Sequence, residues 1–212
     1  MSLQTTPLWT EVEDHRSTTS AHTTIRSNAF PLILRTPLPE DIAGLTEVMM
    51  NPENTGSDLS ISKMTPSEIN DLVSKWMNLT DPLQHLNMVI LRHGKVIGVT
   101  GLGWIGSAKD KGLSSNDHDL VGVVGVLLNP DMRRQGMAFD VLKIAIDYGF
   151  RQLKMLQITL GTSSKNLPMR GLMEKKFEMP ATVEEPDRFG NDLVWKIDQQ
   201  DWLATAYDSH DA

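Results

Sequence analysis

Apolar and polar positions fall into clear periods from residue 32 onward. Leu32, Ile33 and Leu34, followed by Arg35 and Thr36, read as a short strand that Pro37 ends. Pro39-Glu40-Asp41 predicts a helix start, because proline fixes φ in a first turn and two acids suit the positive end of the dipole. Ile42, Leu45 and Met49 follow at helical spacing until Asn51-Pro52 stops the run. Thr65-Pro66-Ser67-Glu68 has the form of a capping box, and Ile69, Leu72, Val73 and Trp76 then repeat along one face of a second helix. Residues 86–91 and 95–105 predict a hairpin turning at His93-Gly94, where glycine supplies a positive φ. After a polar loop at 106–119, residues 120–128 are almost wholly apolar, the pattern of a strand covered on both faces.

The next helix spans 137–151 and gathers its polar residues, Asp140, Lys143, Asp147 and Arg151, into one stripe, so the remainder is expected to lie against a sheet. Residues 155–160 are a second buried strand, and strand, helix and strand at this spacing predict a right-handed parallel crossover. A helix at 167–176 and strands at 177–183 and 193–197 complete the order. The fold class is therefore α/β with a mixed, mostly antiparallel sheet. Residues 1–30 are rich in Thr and Ser; stretches at 8–12 and 23–26 suit either strands added to the sheet or a loosely attached leader. With no repeat and no low-complexity linker, one domain over 31–203 is expected, flanked by that extension and a tail at 204–212.

Charge narrows the function. Lys and Arg number 20 against 27 Asp and Glu, a net charge of -7, which argues against a nucleic-acid groove built on clustered cations. Cysteine is absent, excluding disulfides, thiolate metal sites and a cysteine nucleophile. No run approaches the roughly 18 apolar residues of a membrane span, so no membrane partner and a cytoplasmic location are expected, with no metal.

The chemistry concentrates where strand 120–128 runs into helix 137–151, through Asn129-Pro130-Asp131-Met132-Arg133-Arg134-Gln135-Gly136-Met137-Ala138. A helix N-terminus offers unpaired N–H groups and a positive dipole end, a natural seat for phosphate. Gly136 removes the Cβ that would hold an anion off the backbone, Ala138 keeps the helix close, and Arg133 and Arg134 can meet phosphate oxygens in bidentate fashion. No G-x-x-x-x-G-K-[ST] occurs, and Gly101-Leu102-Gly103 lies within a strand rather than before a helix, so neither a P-loop nor a dinucleotide fingerprint is present.

Arg133-Arg134-Gln135-Gly136-Met137-Ala138 resembles the [RQ]-x-x-G-x-[GA] loop that holds the acyl-CoA pyrophosphate in the GNAT superfamily of N-acetyltransferases, and the preceding Val126-Leu127-Leu128-Asn129-Pro130 resembles the strand end before it. Asn166 looks like the Asn that binds the CoA arm, and Trp195-Lys196-Ile197 with Trp202 resembles the closing strand of the ribosomal-protein N-terminal acetyltransferase-like branch. The resemblance runs from about Leu32 to Trp202 and implies a splayed parallel strand pair with helices on both faces of the sheet. It implies acetyl-CoA, or another acyl-CoA, as cosubstrate: the pantetheine arm held by backbone near Val126, Leu127 and Leu128, the pyrophosphate by amides of residues 134–138, and an oxyanion site at an N–H near Val126. Gly125 marks either a bulge that opens this strand or a close contact beneath a helix.

Direct attack by an amine requires loss of a proton from an ammonium whose pKa is about 10. The place where the family often carries Glu is Val123, and those that often carry Ser or Tyr correspond to Met169 and Met173. Asp119, about 13 Å along the strand from Val123, and His118, which titrates near neutrality, are the candidate bases; a surface-loop role is the plain reading of His118. Asp58 and Glu53 fall in the loop that borders the acceptor site in the family, and Trp104 suits either the acceptor pocket or the core. Apolar Val123, Met169 and Met173 favour a flat or hydrophobic acceptor. Two readings follow: an enzyme acetylating a small amine or a protein N-terminus, as monomer or homodimer, or a non-catalytic acyl-CoA-binding module.

Overall fold

A computed structural model describes residues 9–14, 22–56 and 61–205. Nine strands form one sheet in the order β1-β2-β3-β4-β5-β6-β7-β9-β8, antiparallel throughout except where β6 meets β7. The first two, β1 (Trp9–Asp14) and β2 (Thr23–Ser27), lie at one edge. Next comes β3 (Leu32–Arg35), and Pro39–Asp41 then forms a 3-10 turn rather than the first turn of α1 (Ile42–Met50). The difference has a local cause. The Asp41 carboxylate accepts bonds from both Arg35 guanidinium nitrogens, at 2.6 and 3.0 Å, and from the Leu38 amide at 2.7 Å, so it binds β3 to the turn as a buried, paired charge. Asn51 ends α1 and caps the four-residue α2 (Pro52–Thr55). The capping box opens α3 (Pro66–Trp76) as expected, with Thr65 and Glu68 each bonding the other's amide.

The hairpin is β4 (Leu86–Arg92) with β5 (Lys95–Ser107); His93 and Gly94 both take positive φ, 50° and 75°, the pair a type I′ turn needs. Then follow β6 (Leu120–Leu128), α4 (Met137–Arg151) and β7 (Gln157–Thr162). The last of these starts two residues later than the apolar run suggests, because Met155 is spent as core filling beneath Gly122 and Gly149. After α5 (Leu167–Lys175), the strand expected over 177–183 shrinks to β8 (Thr182–Val183). Glu178 has φ 56°, which breaks an extended run, while Phe177 packs edge-on to Phe139 at 4.6 Å and Met179 accepts a bond from the Trp195 indole. The chain closes with β9 (Leu193–Asp198) and α6 (Gln199–Thr205), so Trp202 stands on a helix rather than on the closing strand.

Two cores divide the sheet by face. One, between the sheet and α4, holds Leu86, Met88, Leu102, Val124, Leu142, Ile146 and Trp195; the other, beneath α1 and α3, holds Leu45, Ile69, Val73, Val89 and Val99. Helices thus lie on both faces, but not over all of each. The polar stripe of α4 is itself covered: Asp147, fully buried, accepts bonds from Arg151 and the Trp202 indole, and Asp140 accepts one from Ser27 of β2.

Candidate active site

β6 pairs with β7 only from Val121 to Val123; beyond that point β6 continues toward Leu128 beside β5 while β7 leaves it for β9. Residues 124–128 therefore border an opening on their β7 side. Contrary to the expectation of a strand covered on both faces, Val123 is 39% exposed and Gly125 is exposed too. Among the described residues no helix covers the Val123 and Gly125 face of this strand, while α4 covers the opposite face at Val124. Gly125 is neither a bulge nor a close contact: nothing lies within 4 Å of a Cβ placed there, and the extra residue in the ladder is Gly103 of β5, between the pairs Leu102–Val124 and Trp104–Val123. The glycine pattern pointed to the right neighbourhood but to the wrong strand.

The loop after β6 makes a 3-10 turn at Pro130–Met132 and enters α4 through Arg134 and Gly136, both left-handed at φ 60° and 83°. Among the described residues, the amides of Arg134, Gln135, Gly136, Met137 and Ala138 donate to no protein acceptor, whereas those of Phe139 and Asp140 close on the Gly136 carbonyl. A run of free N–H groups at a helix N-terminus is an anion seat in both geometry and sign. A Cβ on Gly136 would touch the ring of Phe30 at 3.4 Å, so the extension that precedes β3 forms one wall of the seat.

The two arginines separate in role. Arg133 turns inward, donating to the Leu128 carbonyl at 3.1 Å, the Glu53 carbonyl at 3.0 Å and the side chain of Asn54. Asn54, nearly buried, donates in turn to Val48 and to Asn129. This network ties α2 to the end of β6, so Arg133 braces the loop instead of presenting its guanidinium to a phosphate. Gln135 is similarly engaged, with Asp131 and Arg92. Arg134 is exposed and no side-chain bond reaches it among the described residues. Asn54 was invisible to sequence reasoning because its partner lies about eighty positions away.

The remaining candidates spread over three places. Asn166 caps α5, accepting from the Met169 amide at 3.2 Å and donating to Thr162 at 3.0 Å, with one amide hydrogen left over. Trp104 and Val123 face each other across β5 and β6; Trp104 is 41% exposed, with the Lys111 ammonium 5.2 Å from its ring centre. Met173 is fully buried in the α4 core and is no part of an acceptor wall. The Asp119 carboxylate holds its own loop, accepting bonds from Ser114 and Asn116, while His118 is exposed and bonded to Asn116 through its amide. Glu53 is exposed, and Asp58 lies outside the described residues. Among the described residues no group of side chains is arranged to hold a metal and no helix is long and apolar enough to cross a membrane.

Residues 31–176 match the family model described as the acetyltransferase (GNAT) domain. No curated protein matches the chain. Spermidine N-acetyltransferase from Vibrio cholerae, solved with CoA and spermine, superposes with a TM-score of 0.65 at 19% identity, covering 82% of this chain and 98% of that one. Ribosomal-protein-S5-alanine acetyltransferase from Vibrio fischeri gives 0.64 at 13%, covering 81% and 95%. A microcin C7 self-immunity acetyltransferase solved with acetyl-CoA and AMP gives 0.63 at 11%, covering 79% and 92%. At such identities the likeness establishes a shared fold.

Proposed function

Because this chain belongs to the GNAT acetyltransferase family, we propose that it is an N-acyltransferase passing an acetyl group from acyl-CoA to a primary amine by direct attack on the thioester. The observation that carries this reading is the run of acceptor-free amides from Arg134 to Ala138 beside the opening between β6 and β7. Acyl-CoA is the cosubstrate, in keeping with the family and with CoA and acetyl-CoA in structures of the same fold. When bound, the thioester supplies the acyl group and a thiolate leaving group. This chain's own groups do the rest. The amides of 134–138 and the Arg134 guanidinium receive the diphosphate, the edge of β6 at Val126, Leu127 and Leu128 holds the pantetheine arm as an added strand would, and the spare amide hydrogen of Asn166 reaches it from α5. An N–H near Val126 stabilises the oxyanion, a contribution of about 3–4 kcal/mol in other enzymes. Trp104 and Val123 line the acceptor site, and a small amine or a protein N-terminus is the acceptor.

Gly136→Glu tests the placement. It puts bulk and negative charge into the amide run at a position with φ 83°. The variant should remain folded and lose measurable affinity for CoA in calorimetry; undiminished affinity in a folded variant overturns the placement. One observation favours the second reading, a binding module without catalysis: the Asp119 carboxylate is committed to its own loop and Val123 carries no proton acceptor. Release of CoA thiol from acetyl-CoA across a panel of amines separates the two, since only the enzyme produces it.

A further inference from the structure

Resting on the acyltransfer reading, we infer that His85 is the group that takes the proton from the acceptor amine, with Asn87 beside it orienting that amine. Leu86 and Met88 of β4 point into the core beneath α4, so the same period sends His85 and Asn87 to the other face of the sheet. That face is covered by α1 and α3 over Val89, Leu91 and Val99 but is open at Trp104 and Val123. The register carries His85 to this opening. Leu86 pairs with Leu102 and Asn87 with Gly101, while the Ile105 amide bonds the Gln84 carbonyl, so His85 lies beside Gly103 and Trp104. Trp104 in turn faces Val123, the last residue of β6 before β7 departs. Two strand spacings, about 9–10 Å, separate the main chains at 85 and 123, a distance that an imidazole and one water span.

The side chains at this spot are unspent. Asn87 is only 9% exposed, yet no bond reaches its amide among the described residues, and its Oδ1 lies 3.8 Å from the point where a Cβ on Gly103 would stand. A glycine at 103 leaves room above the bulge for a substrate group that this amide can meet. His85 has Nδ1 sealed from solvent without a partner, an arrangement that is costly to keep in a folded chain. Its Nε2 is neither sealed nor bonded among the described residues, so it is the nitrogen that meets the open face. Burial holds the pKa of His85 below the ordinary imidazole value; of the charged groups on neighbouring elements, Lys111 stands over the Trp104 ring, with Asp81 on the approach to β4 and Lys75 at the end of α3. Burial thus disfavours the imidazolium, and the role of Nε2 as proton acceptor requires the ring hydrogen to sit on Nδ1.

The step balances. An intervening water takes one proton from the acceptor ammonium and gives one to Nε2, leaving imidazolium and a neutral amine. The freed lone pair forms the C–N bond, the C–S bond breaks, and the thiolate leaves with the electron pair and gains the second amine proton. Imidazolium then returns its proton to solvent.

The test uses the whole chain, acetyl-CoA, and tryptamine, spermidine and a short peptide with a free N-terminus as amines. His85→Gln should bind acetyl-CoA in calorimetry as the wild type does, lose on the order of 10²–10⁴-fold in kcat/KM, and lose the acid limb of the pH–rate profile. Independently, histidine NMR of the unliganded wild type should show His85 protonated on Nδ1, with a midpoint that coincides with that acid limb. A folded variant that keeps its rate and its acid limb overturns the assignment and leaves acyltransfer standing. Should the variant fail to fold, a wild-type limb and NMR midpoint that disagree overturn it. A wild type that binds acetyl-CoA but releases no thiol with any of these amines overturns the acyltransfer reading, and the role of His85 with it.

Discussion

Arg133 and Arg134 are adjacent and chemically identical, yet one backbone torsion separates their work. At φ 60° Arg134 carries the chain through a left-handed step, so its side chain leaves on the solvent side while Arg133 turns back to three oxygens of Leu128, Glu53 and Asn54. Replacing Arg133 with Leu strips all three of a charged donor, and the expected loss of stability is about 1–3 kcal/mol. Affinity for CoA falls as well, because the loop loses its brace. Arg134→Ala should leave the unfolding midpoint in place, as surface changes of this kind stay within about 0.5 kcal/mol, and should weaken CoA binding by about 1.5–3 kcal/mol, the value of a hydrogen bond to a charged group. Denaturant unfolding and calorimetry on both variants check the contrast; a stability loss confined to Arg134→Ala contradicts it. The sequence shows two cations beside a glycine, but which of them is free depends on Asn54 and the end of β6, and no spacing rule reaches that far. His85 escaped notice for a similar reason: it stands in no motif, and only the register of β4 against β5 brings it toward Val123.

Among the elements, α4 joins several distant parts of the fold. Its N-terminus makes the proposed anion seat, its apolar face fills the larger core, and its polar stripe receives β2 through Ser27 and α6 through Trp202. The Ser27 hydroxyl donates to Asp140 at 2.6 Å, but burial outweighs that bond and the nearby Lys143 charge, and the Asp140 carboxyl is held above its ordinary value. The sign follows from proton linkage. The folded state binds this proton more tightly than the unfolded chain, so stability declines as pH rises from the ordinary carboxylate value through the raised one, and stays lower above it. Asp140→Asn keeps an oxygen for Ser27 without the buried charge. It should raise the melting temperature near neutrality and flatten its decline across that window, and thermal unfolding at a series of pH values checks this; a variant less stable at neutral pH than the parent contradicts it. Elements governed by local rules were legible in the chain. The Thr65 to Glu68 box, the His93-Gly94 turn and the 15-residue apolar period of α4 each stand where their residues put them. Those settled by distant partners were not. Whether 177–183 is strand or coil turns on Trp195 claiming the Met179 carbonyl, and the bulge belongs to Gly103 rather than Gly125 because β5, not β6, has a residue to spare.

At the scale of the whole molecule, the sheet is covered unequally, and the proposed site lies where cover runs out. From β2 to β5 every strand has neighbours on both edges, and α1, α3 and α4 close its faces; from Val123 onward β6 loses β7, and among the described residues no helix covers Trp104 or Val123. Such an opening leaves backbone groups without a protein partner, to be met by water or a ligand. Hydrogen exchange reads this directly, because amides without acceptors exchange without any opening event, whereas core strands wait for large ones. In the unliganded protein, residues 134–138 should exchange at nearly the rate of an unfolded peptide, and β4 should be among the slowest segments. Adding acetyl-CoA should slow 134–138 and 124–128 together, since the proposed binding mode bonds both to one ligand, while β2, β3 and α3 gain only the uniform increment that binding gives to global stability. Protection at the loop without protection along β6 means that the anion seat is filled but the pantetheine arm lies elsewhere. Protection spread over α1 and α3 in place of these two segments means that the ligand enters from the other half of the sheet, and the assignment of the opening as its cleft is then wrong.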